Sequence, residues 1–254
     1  MLHPFDLFFR YITPFYPIIH RSTFEIQFAD GLHERNHVHS DLVLMLCAVA
    51  SIYSNDPRVH HEVNKLRVPG YQYFLHVNHC AHISATHLPG LQTCVLRAIY
   101  FDYVSQRHVA WFILGAGIRC AQDIGAHRKS FQGSTKPVEK EMWSWTFWCL
   151  VTLDRLVSCA IGQIPAVNGE DLDVTFPSSL PSEDFADLEY FNPLLDLGTL
   201  ANMVLRTLIP FDPGPGPYSA NCPRKHPGPA GLHMDLHHPQ ALALGSPPGE
   251  SHSF

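Results

Sequence analysis

The sequence predicts an all-α domain followed by a disordered Pro/Gly-rich tail, and three observations carry that reading. Hydrophobic residues make up 46 % of the 254 residues and charged residues only 16 %, a balance that excludes wholesale disorder. Apolar residues recur at helical spacing over long stretches, as in Leu91, Val95, Ile99 and Tyr103, and no convincing strand alternation stands out. Composition then breaks at Pro210: residues 211–254 hold nine prolines and six glycines among 44 positions. Their few leucines, such as Leu232, Leu236 and Leu242, are too sparse to offset the entropy of ordering. The expected organisation is a helical domain over 1–210 and a low-complexity tail over 211–254.

Each element has its own signal. Pro4 to Phe24 is dense in aromatics and punctuated by Pro14 and Pro17, which predicts a short helix and then an extended, kinked stretch. Asp41 to Tyr53 is apolar nearly all round and suits a buried helix ended by Asn55-Asp56-Pro57. Tyr71 to Ser84 is a weaker helical segment with histidines among its apolar residues. Pro89-Gly90 punctuates, and Leu91 to Val104 resumes. Val109 to Ile124 follows, with Gly125 as its stop. After a polar loop over Lys129 to Pro137, Val138 to Ile161 is the longest helix, closed by Gly162 and Pro165. Asp184 to Leu208 gives a last helix interrupted at Pro193.

Charge and cysteine usage narrow the function. Seventeen Lys and Arg against 23 Asp and Glu give a net charge of −6, without the broad basic footprint of a nucleic-acid binder. The seven cysteines include no C-x-x-C pair, so zinc ribbons, fingers and thioredoxin-type motifs are not expected. The start, MLHPFDLFFR, has no basic n-region, and the run Leu42 to Tyr53 is short of the roughly 20 residues that span a bilayer. The expectation is a soluble protein of a reducing compartment.

Several motifs invite a chemical reading. Val109 to Gly117 resembles a strand entering a Gly-x-Gly dinucleotide loop, but Cys120 occupies the third small position and no further strand follows. Gly115 and Gly117 then read as places where a neighbouring helix comes close. His76, His79 and His82 lie at ligand spacing beside Cys80, yet without the glutamate of a hydrolytic zinc helix. His60-His61-Glu62 has the wrong spacing. No G-x-S-x-G elbow marks a nucleophile. More informative are charges within apolar helices: Arg119 with Asp123, and Asp154-Arg155. An unpaired buried charge is costly, so these predict an ion-pair network in which Arg119 or Arg155 partners Asp154, Arg119 being the better placed because Arg155 is its sequence neighbour, or else an effector pocket.

The same segments carry a family resemblance. Residues 6–24, with Pro17 and the ending Ile19-His20-Arg21-x-Thr23-Phe24, resemble the opening of the fungal-specific transcription factor domain. That domain is the regulatory middle homology region, of xylanolytic-activator type, found in the fungal binuclear zinc cluster transcription factors. Residues 110–128 are similar to one of its helices at Gly115, Arg119, Ala121, Gly125, His127 and Arg128. Residues 141–177 are similar again at Phe147-Trp148, Leu153-Asp154-Arg155, Gly162, Pro165, Asp171, Asp173 and Pro177. The basic cluster usual before Phe147-Trp148 is replaced by Glu141-Met142-Trp143-Ser144-Trp145. The resemblance implies a nuclear regulatory domain that binds an effector or protein partner. It also implies that DNA is read by a zinc-cluster module whose cysteines this sequence lacks, so that no cofactor belongs to this chain. Two other readings stay open: a helical metal-dependent hydrolase using His76, His79 and His82, and a helical interaction protein with no transcriptional role.

Overall fold

A computed structural model describes residues 3–63, 66–77, 87–129, 131, 136–168, 172, 174, 176 and 190–208. The chain starts with α1 (Pro4–Tyr11), whose first turn begins at Pro4 and is capped by the His3 ring, which accepts from the Phe5 amide. α2 (Arg21–Ala29) is capped by His20 through the Thr23 amide, and α3 (Leu32–Arg35) is a single turn. The Asn36 side chain caps α4 (His37–Ala50), which is deeply buried as its composition predicts. Two short 3₁₀ turns, Ser51–Tyr53 and Pro57–Val59, lead into an antiparallel hairpin of β1 (His60–Val63) and β2 (Leu66–Pro69), with His60 opposite Pro69. α5 (Tyr71–Leu75), α6 (Leu88–Tyr103), α7 (Arg107–Asp123), α8 (Pro137–Ile161) and α9 (Phe191–Leu208) complete the described frame.

The helices pack as a continuous body. α6 lies against α4, α7 and α8, α8 also packs on α7 and α9, and α1 covers α4. Fully buried Phe8, Tyr100, Phe101, Trp145, Phe147 and Phe191 knit these elements into one core, with Trp145 against Phe191 at 4.9 Å between ring centroids. Cys94 and Cys149 sit in that core and Cys47 packs against it, none of them in a disulfide, and burial pushes the thiols of Cys47 and Cys94 up to about 12. They act as small apolar residues. Among the described residues no helix is long and apolar enough to cross a membrane.

The all-α prediction holds, with the hairpin as its exception. His60-His61-Glu62 therefore lies on a strand rather than a helix. The helix expected over Tyr71 to Ser84 ends at Leu75, and residues 78–86 lie outside the described residues. α6 starts at Leu88, not Leu91, because Pro89 is accommodated in the first turn, where no amide is needed. Pro193 falls likewise near the start of α9 and does not interrupt it. Residues 184–189 and the whole of 211–254 lie outside the described residues.

Candidate functional site

The long α8 ends at Gly162, whose φ of +68° is the left-handed conformation that lets Gln163 turn back and bond the Ser158 carbonyl. The chain then crosses between α7 and α9 as the segment 162–168. Three helices hold this segment. Trp111 of α7 donates its indole N–H to the Ile164 carbonyl at 3.2 Å. Asp154 of α8 accepts the Ala166 amide at 2.6 Å, and Arg206 of α9 donates to the Asn168 side-chain oxygen. α9 itself is set close to α8, since a Cβ at Gly198 would lie 3.2 Å from the Thr152 methyl, and Arg155 donates to the Thr199 hydroxyl at 3.3 Å.

A cleft opens on each side of the segment. One, of about 590 Å³, is lined by Trp111, Phe112, Gly115, Ala116 and Arg119 of α7 and by Ile164, Pro165 and Ala166. The other, of about 490 Å³, lies toward α9 and takes in Gly162, Gln163, Leu205 and Arg206, sharing Ile164 and Pro165 with the first. The first cleft has an apolar rim that solvent reaches: Phe112 is 72 % exposed and Ile164 62 %. Gly115 is its floor. A Cβ there would lie 3.0 Å from Nη1 of Arg119 and 3.9 Å from the Ala166 methyl, so the guanidinium folds back across the glycine. Trp111, Gly115 and Arg119 stand at i, i+4 and i+8, a single stripe of α7.

Beneath the cleft, Asp154 is wholly buried. Desolvation raises its carboxyl from 3.8 to about 6, against the lowering effects of the Ala166 amide and of the Arg119 and Arg155 charges. Its second oxygen has no hydrogen-bond partner among the described residues. This corrects the expected network. Arg119 and Asp123 are exposed, not buried in an apolar helix, because α7 turns that face to solvent. Asp154 is not ion-paired with Arg119 among the described residues, and the amide of Ala166 takes the place of the expected cation. Arg155 points the other way, to α9, and burial lowers its pKa.

The structure therefore brings Gly115, Arg119 and Pro165 into one cleft, places Asp154 behind it and Gly162 in the neighbouring cleft toward α9. Gly125, with φ of +81°, closes α7, and Ala126 donates back to the Ala121 carbonyl. His127 and Arg128 follow in that turn, where Arg128 donates to His127 at 3.3 Å and burial lowers the imidazole pKa. Trp148 lies on α8, stacked on Phe176 at 4.5 Å. Asp171 lies outside the described residues, as do His79 and His82, while His76 ends α5. No group of three or more His, Cys, Asp or Glu side chains that could hold a metal occurs among the described residues. The Gly115-x-Gly117 pair sits inside a helix, so no dinucleotide loop forms. A Cβ at Gly117 would lie 3.2 Å from Leu150 and 3.4 Å from Cys94, where α7 meets α8 and α6. Phe112, Trp111, Ile164 and Ala166 escape the sequence reading; the i, i+4, i+8 stripe running from Trp111 through Gly115 to Arg119 is a signal for Trp111, and no sequence signal marks the other three.

The helical frame carries a partly apolar cleft on α7 with Arg119 among its lining residues. The chain belongs to the fungal specific transcription factor domain family, which matches residues 5–236. It is 24 % identical over 127 residues to a negative regulator of pleiotropic drug resistance of Candida glabrata, covering 49 % of this chain and 13 % of that protein. It is 25 % identical over 183 residues to an uncharacterized transcriptional regulatory protein of Schizosaccharomyces pombe, covering 68 % and 23 % respectively. An ABC-transporter-regulating transcription factor of Aspergillus oryzae is 26 % identical over 126 residues, 50 % of this chain and 14 % of that protein. The chain thus spans less than a quarter of the length of these relatives. No solved structure matches.

Proposed function

We propose that this chain is the regulatory domain of a fungal transcription factor, acting in the nucleus by binding a small effector in the α7 cleft, with DNA contacted by a separate zinc-cluster module and no catalysis of its own. One observation carries the reading. Residues from two separate stretches, Trp111 to Arg119 and Ile164 to Ala166, the second pinned by Asp154 from behind, converge on a cleft of about 590 Å³ whose aromatic and aliphatic rim stays open to solvent. Core packing alone gives no reason to leave Phe112 and Ile164 uncovered. The names of two relatives, a regulator of drug resistance and a regulator of ABC transporters, agree with small organic compounds as the signal. A second reading, a protein partner, is favoured by the exposed Leu197, Leu200, Met203 and Val204 on α9.

Fusion of the chain to a heterologous DNA-binding and activation domain tests the first reading in a fungal reporter strain. Output that changes with added small organic compounds, and ceases to change in Ala116→Trp, is expected, because the indole fills the cleft. Output indifferent to every compound, or a response that survives Ala116→Trp, would remove the cleft from the account.

A further inference from the structure

We infer that the α7 cleft selects an apolar organic anion, a carboxylate carried on a ring-sized hydrocarbon body, with Arg119 as the seat of the negative charge. The inference rests on the effector-cleft reading and specifies its ligand.

The walls decide the body of the ligand. Trp111, Phe112, Ile164 and Pro165 offer aromatic and aliphatic surface, and about 590 Å³ accommodates a bicyclic ring with room for water. The floor decides the charge. Among the described residues Arg119 is the one titratable side chain lining this cleft. Its guanidinium lies over Gly115, with Nη1 3.0 Å from where a Cβ would stand, a position open to it because residue 115 has no side chain. None of the ion pairs among the described residues uses it. A planar guanidinium that makes no hydrogen bond or ion pair among the described residues, set beside an apolar wall, matches a carboxylate in two-point contact.

Two further facts support the assignment. Asp154, buried behind the cleft and engaged by the Ala166 amide, feels the Arg119 charge but makes no ion pair with it among the described residues, so it does not occupy the seat. The chain as a whole carries −6 and repels anions, so any preference for a carboxylate here comes from Arg119 locally rather than from a general field. Trp111, by donating to the Ile164 carbonyl, fixes the opposite wall at a set distance from α7.

Titration calorimetry of the full chain with 2-naphthoate and with 2-naphthamide tests the inference, since the two share a ring system and differ in charge. The naphthoate is expected to bind at least about tenfold more tightly, the scale of one charge-assisted contact. Arg119→Met should erase that preference while leaving the amide within about twofold, and Arg119→Lys should retain part of it. Phe112→Ala, at an exposed position whose loss spares the fold, should weaken both. Equal binding of the two compounds to the unaltered chain, or a preference that persists in Arg119→Met, would overturn the anion seat while leaving the cleft as an apolar site. Binding of neither compound would overturn the seat and the effector reading together.

Discussion

Replacing Asp154 by Asn should convert a pH-dependent weakness of the domain into a pH-independent feature. The folded protein keeps a proton on this carboxyl up to about pH 6, whereas the ordinary value is 3.8. Between those values the folded state binds the extra proton, so the stability associated with Asp154 falls as pH rises through that window. A shift of about two pH units corresponds to roughly 3 kcal/mol of destabilisation above pH 7, and to only about 0.6 kcal/mol at pH 4. Asn keeps an oxygen for the Ala166 amide and brings no charge, and any cost of its new N–H donor does not vary with pH. Urea melts of both proteins at steps from pH 4 to 8 should show Asp154→Asn gaining about 2 kcal/mol on the unaltered chain across that range. A difference that stays flat with pH would refute the reasoning, because it would mean that burial does not hold the proton on Asp154.

Two glycines with the same left-handed backbone should respond differently to alanine. At Gly70, a Cβ would collide with the Ala48 backbone, 2.7 Å from its Cα, so Gly70→Ala should lose about 2–4 kcal/mol in chemical denaturation. At Gly162 nothing lies within 4 Å, and Gly162→Ala should cost only the left-handed strain of about 1–2 kcal/mol. Gln92→Leu removes the donor to the buried Ile18 carbonyl, now bonded at 2.5 Å, and should cost about 1–3 kcal/mol by the same assay. Ending the chain after Pro210 should move the melting temperature by less than about 2 °C, since a Pro/Gly-rich stretch offers little apolar surface to bury; a loss of several degrees would show that it docks.

Helix positions were legible where the chain carries its own punctuation. Gly125 and Gly162 each follow an apolar periodic run, and each proves to be a left-handed stop. The hairpin was illegible because its strands are four residues long, too short for alternation to register, and it is anchored from outside by the Tyr100 hydroxyl on the Pro69 carbonyl. Asp154 announced itself as an acid inside an apolar helix, but its partner did not. Sequence patterns weigh side-chain charges, and the group that meets it is a backbone amide twelve residues on, brought there by the turn at Gly162. Phe112 and Ile164 were hidden for a simpler reason. An apolar residue reads as core, and only packing tells that these two face outward.

The central claim is that the face of α7 opposite segment 162–168 is where this domain meets its ligand, and the four tryptophans test it directly. Trp111 borders the cleft, while Trp143, Trp145 and Trp148 are buried on α8. In ¹⁵N-labelled protein titrated with 2-naphthoate, the indole resonance of Trp111 should move in a saturable manner, together with the backbone amides of Gly115 and Ala166, while the other three indoles stay in place. Unchanged Trp111, or shifts centred on the α8 indoles or on α1 and α4, would contradict the account.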